Sequence, residues 1–138
     1  KRDTVWAIDS RKDKVENLID KMRDHAEKNL PLKKMKHVFI NQVGDTKQFI
    51  DPEKRQNIYL IYKEAIANIM KHSNGDHVDI ILSNDKGRLK LVIKDNGHEK
   101  PATNTEGQGL SNMAMRARKI KGQLDVGYNG GYVVELVV

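Results

Sequence analysis

The chain has 138 residues, 32% charged and 5% aromatic, with a net charge of +6 and no cysteine. This length suits one domain with a single core, the lack of cysteine excludes disulfides and thiolate metal sites, and no apolar run is long enough to span a membrane. The positive charge suits an anionic partner such as nucleotide, nucleic acid, acidic lipid or acidic protein, but lysines and arginines spread along the chain without aromatic neighbours count against a nucleic-acid surface.

In chain order, Val5-Trp6-Ala7-Ile8 reads as the tail of an earlier helix, and a start at Lys1 instead of Met reads as a fragment with room for a membrane anchor upstream. Val15, Leu18, Ile19, Met22 and Ala26 form a helical stripe over residues 14–30, with Asp13 and Glu16 at capping-box spacing and Pro31 as its end. Residues 38–43 read as a strand. Asp51-Pro52-Glu53 opens the strongest helix, whose Ile58, Ile61, Tyr62, Ala65, Ile66 and Ile69 keep helical spacing until Ser73-Asn74-Gly75 stops it. Val78, Ile80 and Leu82 alternate with polar residues, as do Leu89, Leu91 and Ile93, and Asn84-Asp85-Lys86-Gly87 between them predicts a hairpin. Residues 95–109 are polar and aperiodic, hence a loop. A further helix starts near Gly109, with Leu110, Met113, Ala114, Ala117 and Ile120 inward and Gly122 as its stop. Leu124 and Val126 begin a strand, Asn129-Gly130 a turn, and residues 132–138 a last strand. Each element has one apolar face, so the expected fold is α+β, a two-layer α/β sandwich with helices on one mostly antiparallel sheet.

Three features sit where phosphate chemistry could use them. Glu64, Asn68 and His72 follow at i, i+4 and i+8, so they share a helix face bordering the apolar stripe. A carboxylate and an amide oxygen suit Mg²⁺, with Lys71 expected on the same side to reach a phosphate; the alternative is a solvated helix edge. Asp95-Asn96-Gly97 ends an alternating strand, where a carboxylate could accept from an adenine amino group and Gly97 would allow close approach; the alternative is an ordinary turn. Gly107-Gln108-Gly109-Leu110 runs into a helix whose N-terminal amides favour an anion; the alternative is a flexible loop and a cap.

The order of these features resembles the N-box and glycine boxes of the GHKL (Bergerat-fold) ATPases. Residues 55–73, RQNIYLIYKEAIANIMKHS, look like the N-box of bacterial sensor histidine kinases. Gly109-Leu110-Ser111-Asn112-Met113 with Arg116-Ala117 and Gly122 is similar to their second glycine box, and Val5-Trp6-Ala7-Ile8-Asp9 resembles the end of a dimerisation helix.

The resemblance implies that residues 1–30 are a remnant of the dimerisation helix and 31–138 the ATP-binding catalytic domain. Asn68, with Glu64, would hold Mg²⁺ on the ATP phosphates, with Lys71 and His72 nearby. Asp95 would read adenine, with Gly97, Gly107, Gly109 and Leu110 around the nucleotide. The γ-phosphoryl would pass to a histidine on the dimerisation domain of a homodimeric parent, then to a response-regulator aspartate. The resemblance implies a cytoplasmic domain of a parent with room for an anchor in the inner membrane, and no nucleic-acid partner. Two departures stand out: Glu99 takes a glycine position of the first glycine box, and Gly131-Tyr132 stands where Gly-Thr is common. None of His25, His37, His72, His77 and His98 has the acidic helical context of a phosphoacceptor, so the fragment is expected to bind ATP without autophosphorylating. A serine kinase of the anti-sigma-factor type and an interaction module that has lost ATP chemistry remain as alternatives.

Overall fold

The computed structural model describes residues 13–98 and 107–138; Val5, Trp6, Ala7, Ile8 and Glu99 lie outside the described residues. In chain order the elements are α1 (Val15–Asn29), a 3-10 turn (Leu30–Lys33), β1 (Lys36–Gln42), α2 (Pro52–His72), β2 (His77–Asp85), β3 (Arg88–Asp95), α3 (Gly107–Lys119), β4 (Gln123–Tyr128) and β5 (Tyr132–Val137). The strands form one sheet in the order β1-β2-β3-β5-β4. β1 runs parallel to β2 and the other pairs are antiparallel, so the expected two-layer α/β sandwich is the fold observed.

The two sequence periods build the two layers. Val78, Ile80 and Leu82 of β2, Leu89, Leu91 and Ile93 of β3, and Val134 and Leu136 of β5 are buried on the helix-facing side. Register places Ile80 opposite Ile93 and Leu82 opposite Leu91, so the alternation of both strands falls on one face. Against it α2 packs Ile58, Ile61, Ile66 and Ile69, all 0–1% exposed. Each such side chain contributes about 1.5–3 kcal/mol by leaving water. Asp51 caps α2 by accepting from the Glu53 and Lys54 amides at 3.0 and 3.4 Å, and Pro52 in its first turn needs no amide partner.

α1 shares its core with the rest of the chain. Val15, Leu18, Ile19, Met22, Ala26 and Leu30 are buried in the same core as α2 and the sheet. The Tyr62 hydroxyl donates to the Met22 carbonyl at 2.8 Å, and burial, with Tyr59 beside it, holds this phenol well above the usual tyrosine range and therefore neutral. Arg55, 0% exposed, pairs with Asp13 just before α1.

The expected capping box does not form. The Asp13 carboxylate is taken by Arg55, and Glu16 pairs with Lys47 at 2.9 Å. The first amides of α1 are satisfied instead by loop carbonyls, Val15 on Gln48 at 3.1 Å and Glu16 on Thr46 at 2.8 Å.

Candidate functional site

Asp95 reaches the site by strand alternation. It is the next helix-facing position after Leu89, Leu91 and Ile93, so its side chain points into the layer between sheet and helices and is 3% exposed. A carboxylate so placed needs donors. The Gly97 amide donates to its Oδ1 at 2.7 Å and the Tyr132 amide to the same atom at 3.2 Å. Both bonds fall on one oxygen, which orients the carboxylate.

β5 lies beside β3, and Gly131 is what permits the approach. Its φ is +133°, and an added Cβ would lie 2.1 Å from the Asp95 carbonyl oxygen. Gly131→Ala is therefore expected to cost about 2–6 kcal/mol from strain plus overlap. Gly130, with φ +63° and open space around it, should lose only about 1–2 kcal/mol on the same change. Parallel urea titrations of the two variants check the difference.

The second wall is the C-terminal half of α2. Asn68 is 5% exposed, and its Nδ2 donates to the Tyr132 hydroxyl at 3.2 Å. Gly109, in the first turn of α3, is set against this wall: a Cβ there would come within 2.7 Å of Glu64 Oε2 and 3.1 Å of Asn68 Oδ1. Glu64, Asn68 and the α3 N-terminus thus meet at one point, where helix amides and an amide oxygen favour bound anions and a hard cation respectively. No group of three or more His, Cys, Asp or Glu able to hold a metal occurs among the described residues. The carboxylate of Glu64 and the amide oxygen of Asn68 are oxygen donors of the type a hard cation such as Mg²⁺ takes.

His72, Asn68, Asp95, Gly97, Tyr128 and Tyr132 border one cavity of about 10 Å³. Lys71 is not among them. It is exposed and lines a different cavity, of about 320 Å³, with His25, Asn29, Lys33, Lys63 and Met70. Three residues from Asn68 instead of four, Lys71 is rotated off the site's face toward the α1 side. Met113 and Ala117 are buried as expected, whereas Leu110, expected inward with them, is 39% exposed in the first turn of α3, which begins at Gly107, two residues earlier than the sequence suggests.

Sequence reasoning missed the clamp beside Asp95. Asn96 Oδ1 accepts from the Asp76 and His77 amides at 2.9 and 3.0 Å, Asn74 Oδ1 from the His98 amide at 2.8 Å, and Ser73 Oγ from the Gly75 amide at 2.9 Å. Gly75 lies against the Gly97 backbone, where a Cβ would approach the Gly97 nitrogen to 2.7 Å. The clue in the sequence is the pair Ser-Asn-Gly and Asp-Asn-Gly, each readable as a turn but not as partners.

Residues 32–124 match the family model described as the histidine kinase-like ATPase domain. Sensor histidine kinase YxjM of Bacillus subtilis (strain 168) is 35% identical over 88 residues, 64% of this chain and 21% of that protein. Sensor protein VraS of Staphylococcus haemolyticus (strain JCSC1435) is 33% identical over 106 residues, 75% of this chain and 30% of that protein. The chain thus spans less than a third of the length of either relative. In fold it is similar to the histidine kinase domain of the Erythrobacter litoralis EL346 blue-light activated histidine kinase, with TM-score 0.72 and 19% identity over 88% of this chain and 60% of that one. It also resembles the catalytic domain of histidine kinase ThkA, with TM-score 0.70 and 14% identity over 91% of this chain and 92% of that one. With its match over residues 32–124 and its fold, the chain belongs to the histidine kinase-like ATPase domain family.

Proposed function

We propose that this chain is the ATP-binding catalytic domain of a sensor histidine kinase. The observation that carries the reading is the buried Asp95 at the end of β3, whose Oδ1 is held by two backbone amides while the carboxylate borders the cavity shared with Asn68 and His72. The remaining Asp95 oxygen is the acceptor for the adenine amino group. Glu64 and Asn68 Oδ1 hold Mg²⁺, and the amides of Gly107, Gly109 and Leu110 at the α3 start face the phosphates. When bound, Mg²⁺ supplies neutralisation of the phosphate charge. His72 lies beside Asn68 to meet the phosphates, and Lys71 is left out of this set on its placement against α1.

The γ-phosphoryl acceptor is a histidine on a dimerisation domain of the parent protein, a homodimer, and the final acceptor is an aspartate on a response regulator. Support for these partners comes from relatives named as sensor histidine kinases. We place the domain in the cytoplasm, with the parent anchored in the inner membrane; no described helix is long and apolar enough to cross one. We assign α1 to the catalytic domain on its share of the core, and assign any dimerisation helix to residues before it. The reading of an interaction module without ATP chemistry is favoured by one observation, the Tyr132 ring in the site.

Calorimetric titration with ATP, with and without Mg²⁺, tests the assignment. Binding is expected to require Mg²⁺, and Asn68→Ala is expected to weaken it about tenfold or more, the worth of a lost charge-assisted contact. No binding at millimolar nucleotide would remove ATP chemistry from this site, and Mg²⁺-independent binding would remove the metal from Glu64 and Asn68.

A further inference from the structure

We propose that Tyr132 is the residue that sets nucleotide affinity here: its side chain closes the site in the free protein and must swing out before ATP enters. The inference rests on the reading of the site as ATP-binding, and it starts from a conflict of space. The donors fit a nucleotide, but the cavity bordered by Asn68, His72, Asp95 and Tyr132 measures about 10 Å³. That is room for about one water molecule, whereas small-molecule pockets run to roughly 300 Å³ and more.

Tyr132 is what takes up the room. Its backbone amide is fixed on Asp95 Oδ1 at 3.2 Å, while its hydroxyl accepts from Asn68 Nδ2 at 3.2 Å. One residue therefore spans the two groups, its backbone amide on the carboxylate assigned to the base and its hydroxyl on the amide assigned to the metal, with its side chain bordering the cavity between them. The ring is 4% exposed and packs on Tyr128 with centroids 5.5 Å apart. A base bound at Asp95 with phosphates at Asn68 must lie along the same path, so ring and nucleotide exclude one another.

The backbone cannot yield instead. Gly131 is held at φ +133° against the Asp95 carbonyl, and Val133 pairs with Lys94 in the sheet. The movable part is the side chain, and strand residues have two common χ1 wells. Opening breaks the bond from Asn68 Nδ2 to the Tyr132 hydroxyl, while the Asn68 Oδ1 assigned to the metal takes no part in it. Apparent affinity then falls in proportion to the open fraction.

The test compares ATP·Mg²⁺ binding by the unchanged chain, Tyr132→Phe and Tyr132→Thr, by calorimetry for affinity and stopped flow for rates. Tyr132→Phe keeps the ring and loses the bond, so affinity should rise about two- to tenfold, the worth of one hydrogen bond. Tyr132→Thr removes the obstruction and should raise it further, by about tenfold or more over the unchanged chain. In both, the association rate should rise while dissociation stays nearly constant, a split that a merely structural role would not produce. Tyr132→Phe decides alone if the threonine variant does not fold. Equal affinities in all three proteins, or weaker binding by the variants, would overturn the gate and leave the ATP reading intact. Binding by none of them would overturn both.

Discussion

Replacing Arg55 by leucine is expected to cost the domain about 3–5 kcal/mol, the range for removing one partner of a buried ion pair. Arg55 is 0% exposed in side chain and its partner Asp13 only 13%. The leucine would fill part of the space but leave a carboxylate in a pocket that water barely reaches. A small domain has about 5–15 kcal/mol in all, so the loss is a large share of it. Urea unfolding should show a lower midpoint at unchanged slope. The companion Asp13→Asn and the double variant complete the cycle, and the double variant should lose clearly less than the sum of the singles. A loss under about 1 kcal/mol would mark the pair as an ordinary surface contact.

Asp95→Asn is expected to lower ATP affinity by about 10- to 150-fold, the worth of a hydrogen bond to a charged group. Asparagine keeps an oxygen for the Gly97 and Tyr132 amides, so the loop and β5 should stay in place. Its NH₂ would then face the adenine amino group, donor against donor. Guanine presents a carbonyl oxygen at that edge, so the ratio of ATP to GTP affinity should fall along with ATP affinity itself. Competition titrations with the two nucleotides read that ratio directly. An unchanged ratio would mean that Asp95 orients the backbone and does not touch the base.

Much of this was legible in the sequence, for reasons specific to particular residues. The run from Ile58 to Ile69 has helical spacing strong enough to stand alone, and the alternation Leu89, Leu91, Ile93 extends one step to place Asp95 on the core face. Glu64 and Asn68 were readable as neighbours because i and i+4 share a face on any helix, and the structure sets both against Gly109.

What stayed hidden depended on partners far away in the chain. Asp13 looks like half of a capping box until Arg55, 42 residues on, claims its carboxylate. The stripe on α1 announces a buried face without saying whose core it enters. Lys71 sits one residue from His72, and only the position of α1 shows that it turns away from the site. Tyr132 is the sharpest case. The departure from Gly-Thr is visible in the sequence, but a residue with its backbone on Asp95 and its hydroxyl on Asn68 follows from β5 lying beside β3.

ATP binding between Asp95 and Asn68 is tested most directly by amide chemical-shift mapping on the ¹⁵N-labelled chain. Addition of ATP with Mg²⁺ should move the backbone amides of Gly97, Gly109 and Tyr132 and the Asn68 side-chain amide, with little change at Asn29, Lys33 and Lys71 around the second cavity. Shifts confined to that second cavity, or none at saturating nucleotide, would contradict the account.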